Sequence, residues 1–205
     1  MSSPARPASE MGRRLAPAAI LCIVPLVLGA CASAGARDRA GAGSCASHRI
    51  DSRPGRAWSD AQAWRFATRE AAEAAYARLA GESSPWPDWA APQIVELAPG
   101  TRFQMAIGGS QGPDRPGAFG TFDAIESVAD VRRRLAVKRE WKPRVDRRVI
   151  YEVVRPLPAR VGPVGPQVDR GACRYLAGRY SRLEVLVPAE RRMDHLRIVE
   201  VRALR

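Results

Sequence analysis

The chain has 205 residues, of which 46% are hydrophobic and 26% are charged, a balance typical of globular proteins and unlike that of disordered chains. Its formal charge of +12 favours anionic partners such as lipid headgroups or acidic polymers. Only Lys138 and Lys142 are lysines, a bias toward arginine that is typical of a GC-rich genome. The arginines are scattered apart from the runs Arg132–Arg134 and Arg147–Arg148, which argues against nucleic acid as a partner.

The N-terminus has the layout of an export signal. Arg13 and Arg14 precede an apolar run from Leu15 to Leu28, and small residues follow it. The run is too short for a membrane-spanning helix, which needs about 20 apolar residues. Pro17 and Pro25 also interrupt it. The pattern therefore predicts a cleaved segment rather than a membrane span.

The segment Leu28-Gly29-Ala30-Cys31 resembles the lipobox of bacterial lipoproteins. By that resemblance residues 1–30 are a signal peptide, and Cys31 carries the acyl chains that hold the protein on the bilayer. Residues 31–57 then form a flexible tether, since they begin with a run of small and polar residues. The lack of an aspartate directly after the cysteine indicates, by resemblance to enterobacterial sorting, the outer membrane. An ordinary secretory signal with an incidental cysteine is the alternative.

Two cysteines, Cys45 and Cys173, lie outside the signal and the lipid site. An export compartment is oxidising, so this even pair predicts a disulfide. On the loop-entropy model it contributes about 4–5 kcal/mol, because the loop is well over a hundred residues long. With His48 and His195 as the only histidines, and no closely spaced ligand pair, the sequence predicts no metal site.

The remaining residues, 58–205, are predicted to form one domain that begins with a helix. Ser59 caps this helix, whose apolar face includes Trp64 and Tyr76, and Gly81 ends it.

A proline-rich loop over Ser83–Pro92 follows. Its tryptophans, Trp86 and Trp89, either line a cleft or pin the loop to the core.

The next elements alternate between short strands and loops. In chain order the predicted elements are strands over Ile94–Leu97 and Arg102–Ile107, a glycine-rich loop over Gly108–Gly120, a helix capped by Ser127 and Asp130, a central strand over Val149–Val154, irregular loops over Pro156–Pro158 and Gly162–Pro166, a strand over Tyr180–Val187, a helical turn over Ala189–His195 and a strand over Leu196–Leu204. This order predicts an α+β fold in which an N-terminal helix precedes a strongly bent, mostly antiparallel sheet with one inserted helix.

Four short motifs follow each other between residues 97 and 204. They are Leu97-Ala-Pro-Gly-Thr101, Gly117-Ala-Phe119-Gly-Thr121, Tyr151–Pro158 with Gly162-Pro163-Val164, and Tyr180–Pro188. In this order they resemble the TNT domain, the tuberculosis-necrotizing-toxin type of NAD⁺ glycohydrolase, a relative of ADP-ribosyltransferase toxins. The resemblance implies an ADP-ribosyltransferase-like fold and NAD⁺ as a substrate, without a further cofactor.

The resemblance also implies roles for individual residues. Glu184 lies on a strand similar to the one that presents the catalytic glutamate of ADP-ribosyltransferases, and it would stabilise positive charge on the ribose. Arg102 would bind the pyrophosphate through two parallel hydrogen bonds. Phe119 or Tyr180 would stack on nicotinamide, and Thr121 has the position of a supporting hydroxyl.

Two positions depart from the family pattern. Met105 stands where the family has an arginine after Pro-Gly-Thr, and Arg182 or Leu183 stands where it has a glutamine before the last catalytic strand. Two functional classes therefore stay open. One is a membrane-anchored envelope lipoprotein that cleaves NAD⁺ or descends from such an enzyme without its activity. The other is a non-enzymatic basic lipoprotein that binds acidic envelope polymers or a protein partner.

Overall fold

The computed structural model describes residues 45–82 and 84–205. The predicted signal peptide, the lipid site at Cys31 and most of the predicted tether lie outside these residues. Within them, no helix combines the length and the hydropathy that a membrane span requires.

The described chain contains three α-helices, two 3-10 helices and nine β-strands. The helices are α1 (Arg53–Gln62), α2 (Arg69–Gly81) and α3 (Val128–Arg133), with 3-10 helices at Ala63–Arg65 and Ala189–Asp194. The strands are β1 (Gln93–Leu97), β2 (Arg102–Ile107), β3 (Phe119–Gly120), β4 (Arg147–Val153), β5 (Leu157–Pro163), β6 (Gln167–Asp169), β7 (Arg174–Leu176), β8 (Ser181–Val185) and β9 (Leu196–Ala203).

The N-terminal helical region consists of two helices, so the prediction of one helix from Ser59 is wrong. Ser52 caps α1 by accepting a hydrogen bond from the Gly55 amide, and a proline lies in its first turn. The chain breaks after α1 because the hydroxyl of Thr68 accepts from the Ala71 amide and starts a second helix. Trp64, predicted on the buried face, lies in the break and is 80% exposed. The predicted end at Gly81 is confirmed.

Every strand pair is antiparallel, and the strands form sheets of the orders β1-β5-β8-β3, β2-β4-β9 and β6-β7. A bridge between Gln104 and Thr121 joins the edges of the first two sheets. Gly120 allows this approach, since a Cβ there would lie 2.8 Å from the carbonyl oxygen of Gln104. The two sheets enclose the main core, to which β2, β4, β5 and β8 contribute alternate residues. The predicted α+β fold with a mostly antiparallel sheet and an inserted helix, α3, is confirmed.

Local signals predicted α3 and the central strand correctly. The Ser127 hydroxyl accepts from the Asp130 amide, the Asp130 carboxylate accepts from the Ser127 amide, and β4 lies between β2 and β9. The predicted loops at Pro156–Pro158 and Gly162–Pro166 are in part wrong, because Leu157–Pro163 forms β5, an interior strand between β1 and β8. Its prolines lie next to the strand ends, where a missing N–H costs few ladder bonds.

The β6–β7 hairpin, which the sequence analysis did not predict, packs with the helices α1 and α2. The side chains of Trp58 and Tyr76 form a separate core there with Val168 of β6. The predicted disulfide is present: Cys45 is bonded to Cys173 in the hairpin turn. The folded region therefore begins at least as early as Cys45, before the expected domain start at residue 58.

Candidate ligand-binding cleft

A cleft of about 620 Å³ opens beside strands β2, β3 and β8. This volume falls within the range of about 300–1,000 Å³ found for small-molecule sites. The rest of its wall comes from α3, from the glycine-rich loop before β3, from the segment after α3 and from Pro85 of the proline-rich loop. The side chains that give the wall its chemical character are those of Gln104, Gln111, Phe119, Trp141, Lys142 and Arg182.

Two cations and no acidic residue line this cleft, within the part of the chain that the structure describes. Arg182 is only 6% exposed, and its guanidinium donates to the carbonyl oxygen of Leu135 at 3.3 Å. Burial lowers the pKa of Arg182 to about 10, against the opposing effect of Glu184, so the side chain stays charged at neutral pH.

Lys142 supplies the second cation from the segment after α3. Its Nζ donates to the carbonyl oxygen of Ala106 at 2.8 Å and to Oε1 of Gln111 at 2.9 Å. The pKa of Lys142 lies below its usual value because burial penalises the charged form and Arg132 adds a like charge.

Two aromatic rings lie at the cleft wall beside these cations. The guanidinium carbon of Arg182 is 5.1 Å from the ring centroid of Phe119, and that ring is 48% exposed. Trp141 is 41% exposed and contacts the ammonium of Lys138 at 4.4 Å. Since both rings keep free surface, the cleft combines flat apolar faces with positive charge. Such a wall suits an anion that carries an aromatic group.

Glu184 lies next to the cleft wall but is not among the residues that line it. It is in register with Phe119 on β3 and with Arg160 on β5, so these three side chains share one face. Its carboxylate accepts a hydrogen bond from Arg160 at 2.8 Å in a partly exposed ion pair.

Arg102 lies outside the cleft lining and has a protein partner. Its Nε donates to the carboxylate of Glu152 at 2.8 Å, and Arg197 binds the same carboxylate from β9. The predicted contact with a pyrophosphate would therefore require Arg102 to compete with this ion pair.

Thr121 is fully buried and belongs to a polar network at the start of β8. Its hydroxyl lies 3.1 Å from both the carboxylate of Asp123 and the hydroxyl of Ser181. Asp123 also accepts from the Ser181 amide at 2.6 Å. Burial raises the pKa of Asp123, but the hydrogen bonds from Ser181 and Thr121 outweigh it and hold the pKa below its usual value. The network ties β8 to the turn after β3, one residue before Arg182.

Tyr180 does not line the cleft. Its hydroxyl donates to the carbonyl oxygen of Ala124 at 2.9 Å and accepts from Arg134 at 2.8 Å. Of the two aromatic residues predicted to stack on a ligand, Phe119 is therefore the one that the fold places in the cleft.

Sequence reasoning did not single out Arg182, Lys142 and Trp141 as residues of this cleft. The signal for Lys142 was present, because it is one of only two lysines in an arginine-rich chain and follows a tryptophan. Arg182 was noted only as a departure from a family pattern. No group of three or more histidines, cysteines or acidic residues in residues 45–82 and 84–205 is arranged to hold a metal ion.

No family model and no curated protein matches the sequence. The structure of Tne2 in complex with Tni2 is similar to this chain, with 21% sequence identity and a TM-score of 0.49. The similarity covers 58% of this chain and 97% of that chain. The functional argument for this chain therefore depends on its own residues.

Proposed function

We propose that the cleft binds a nucleotide-class ligand, with NAD⁺ as the first candidate, in an envelope protein that is anchored through acylated Cys31. The observation that carries the proposal is the pair of cations, the buried Arg182 and the half-buried Lys142, in a cleft whose wall contains exposed aromatic rings and no acidic residue among the described residues.

Arg182 is the strongest element of this argument. A buried guanidinium costs free energy unless a charge of opposite sign compensates it. No carboxylate among the described residues forms an ion pair with Arg182. A phosphate that enters the cleft supplies that charge and matches the planar guanidinium with two hydrogen bonds. Lys142 offers a second positive charge to the same ligand.

The aromatic part of the ligand has its own support. Phe119 exposes about half of its surface beside Arg182, and stacking of a base or a nicotinamide on such a ring contributes about 1–3 kcal/mol. Among nucleotides, NAD⁺ is selected by the motif resemblance between residues 97 and 204. The same resemblance assigns the cleavage step to Glu184.

Cleavage would break the bond between C1′ of the ribose and the nicotinamide nitrogen. Water adds to C1′ and loses one proton, and nicotinamide leaves with the bonding electron pair. Glu184 would stabilise the positive charge that develops on the ribose, from a strand position next to Phe119. Its ion pair with Arg160 must open or shift for this role.

The test begins with binding of NAD⁺ and ADP-ribose to the full chain, measured by calorimetry. Arg182→Met keeps the side-chain volume but removes the charge, and we expect it to weaken binding about tenfold or more. The same substitution should leave the melting temperature unchanged or raise it, because it removes a buried charge that forms no ion pair among the described residues. Arg78→Met, on the exposed face of α2, is the control and should change neither quantity.

Release of nicotinamide by the full chain, compared with Glu184→Gln, tests cleavage separately from binding. Release that disappears in Glu184→Gln supports the complete proposal. Binding without release limits the function to nucleotide binding. The proposal is overturned if neither NAD⁺ nor ADP-ribose binds, or if they bind equally well to the native chain and to Arg182→Met.

The envelope location has a separate test. We expect Cys31→Ser to abolish labelling with palmitate and to release the protein from membranes. A Cys31→Ser protein that stays with the membrane fraction would contradict the predicted anchor.

A further inference from the structure

A second cavity, of about 400 Å³, lies between α3, the segment that follows it and the β6–β7 hairpin. None of the residues that line it also lines the cleft. Its wall contains six arginines: Arg132, Arg133, Arg134, Arg139, Arg174 and Arg179. We call it the arginine pocket.

Two of these arginines are held by the protein itself. Arg132 donates to four backbone carbonyl oxygens in the loop after α3. Arg134 contacts the carboxylate of Asp130 and the hydroxyl of Tyr180. The side chains of the other four form no hydrogen bond and no ion pair with any residue in the described ranges; these are Arg133, Arg139, Arg174 and Arg179.

The acidic residue in the wall, Asp169, adds one negative charge against the six arginines, and its carboxylate is bound to backbone amides. Its carboxylate is buried and accepts hydrogen bonds from two backbone amides, that of Ala172 at 2.9 Å and that of Arg139 at 3.0 Å. It shapes the hairpin turn and the loop opposite, and it forms no ion pair with a guanidinium in the described structure.

The fold brings these arginines together from distant parts of the chain. Gly178 has a φ of +62°, and its amide donates to the carbonyl oxygen of Arg133. The next amide, that of Arg179, donates to the carbonyl oxygen of Arg134. Arg174 directly follows Cys173 of the disulfide. The positions of Arg174 and Arg179 beside α3 are thus set by a turn and a covalent link.

We propose that the arginine pocket binds a compact oligophosphate group, meaning two or more phosphates joined or held close together. Gathering several guanidinium groups around one cavity costs repulsion, which a multiply charged anion removes. A guanidinium binds phosphate oxygens through two parallel hydrogen bonds, so four unpaired side chains offer more donors than one phosphate accepts. This activity is separate from nucleotide binding in the cleft.

The test titrates the full chain with tripolyphosphate by calorimetry. Arg179→Glu and Arg133→Glu should each weaken binding about tenfold or more. Arg78→Glu changes the net charge by the same amount at an exposed position outside the pocket, and it should have little effect. Arg179→Lys keeps the charge but loses the two-pronged geometry, so its affinity should lie between those of the native chain and Arg179→Glu.

A second experiment distinguishes the two possible sources of the phosphates, a lipid headgroup and a free oligophosphate. Vesicles of phosphatidylcholine, with and without a bisphosphorylated glycolipid, are mixed with the Cys31→Ser chain, which carries no acyl anchor of its own. Binding to the glycolipid vesicles that tripolyphosphate competes away indicates a lipid headgroup. Binding of tripolyphosphate without vesicle binding indicates a free oligophosphate. Both results support the pocket.

Three results overturn the proposal. One is no measurable binding of tripolyphosphate. Another is an equal loss of affinity in Arg78→Glu and Arg179→Glu, which means that diffuse net charge attracts the anion. The third is tighter binding of a short single-stranded DNA than of tripolyphosphate, which means that the surface binds nucleic acid.

Discussion

The cleft and the arginine pocket both receive residues from α3, yet they hold their positive charges in different ways. In the cleft, Arg182 is buried and Lys142 is half-buried, among apolar and aromatic side chains. In the pocket, four unpaired guanidinium groups face solvent. Buried charge acts at short range and is screened little by salt, whereas exposed charge acts at longer range and is screened strongly. The cleft is therefore suited to select a ligand by shape, and the pocket by number of negative charges.

The largest expected effect that distinguishes the two regions is the loss of the disulfide. Replacement of Cys45 and Cys173 by serine should lower the free energy of unfolding by about 4–5 kcal/mol, because it frees a loop with a sequence separation of 128 residues. The loss of tripolyphosphate binding should exceed that of nucleotide binding, because Arg174 adjoins Cys173 and no cleft residue lies in the hairpin. Unfolding with guanidinium chloride measures the loss of stability, and calorimetry measures the loss of affinity for each ligand. Equal losses at the two sites would show that the disulfide supports the domain only as a whole.

Disruption of the Asp123 network should change both the stability of the protein at low pH and the position of Arg182 in the cleft. Asp123→Asn should cost about 2 kcal/mol at neutral pH, since Asp123 accepts hydrogen bonds from Ser181 and Thr121. The pKa of Asp123 is lower in the folded state than its unfolded value of about 3.9. Its contribution is therefore complete above about pH 4 and is lost as the pH falls through the folded pKa.

Urea unfolding over a series of pH values checks this sign. The native chain should lose stability on acidification more steeply than Asp123→Asn in the range where Asp123 titrates. Parallel curves for the two proteins would mean that Asp123 does not carry this acid sensitivity. Thermal unfolding in the presence of NAD⁺ shows whether the network also positions Arg182.

Phe119→Ala should weaken nucleotide binding about tenfold, because it removes a stacking surface. Phe122→Ala is a matched control: Phe122 is 40% exposed and does not line the cleft. Tripolyphosphate binding should not respond to either substitution. The prediction fails if the two alanine variants bind NAD⁺ with the same affinity.

The smallest effect is expected for Arg102→Met. Arg102 lies in an exposed ion pair with Glu152 and outside the cleft, and Arg197 remains as a partner for that carboxylate. Nucleotide affinity should therefore not change measurably. A clear loss of affinity would instead support the role in pyrophosphate binding that the motif resemblance assigns to Arg102.

Much of the fold was accessible from local patterns. Alternation predicted β2 and β8, runs rich in strand-forming residues predicted β4 and β9, and the Ser127–Asp130 capping box predicted the start of α3. The single-helix prediction failed at Thr68. A threonine can either cap a new helix or lie inside a continuing one, and its side chain alone does not show which. The strand β5 was missed because prolines usually interrupt strands. Only the pairing of β5 with β1 and β8 shows which of its amides must donate hydrogen bonds.

The sites were less accessible than the fold. Phe119 was predicted and lines the cleft, but Arg182 and Lys142 meet there only because β8 packs beside β3 and the segment after α3 folds back over β2. The arginine pocket has the same origin: Arg133 and Arg179 are adjacent through a hydrogen-bonded turn at Gly178.

By itself, the sequence determined the α+β class, the capped start of α3, the principal strands and the pairing of Cys45 with Cys173. These features depend on near neighbours along the chain, or on a choice among very few partners. Only the tertiary structure decided which cations share a cavity and which are used in ion pairs, as Arg102 and Arg182 illustrate. The reason is physical: the charge of an arginine is a local property, whereas its burial and its partners depend on side chains that packing brings from distant strands.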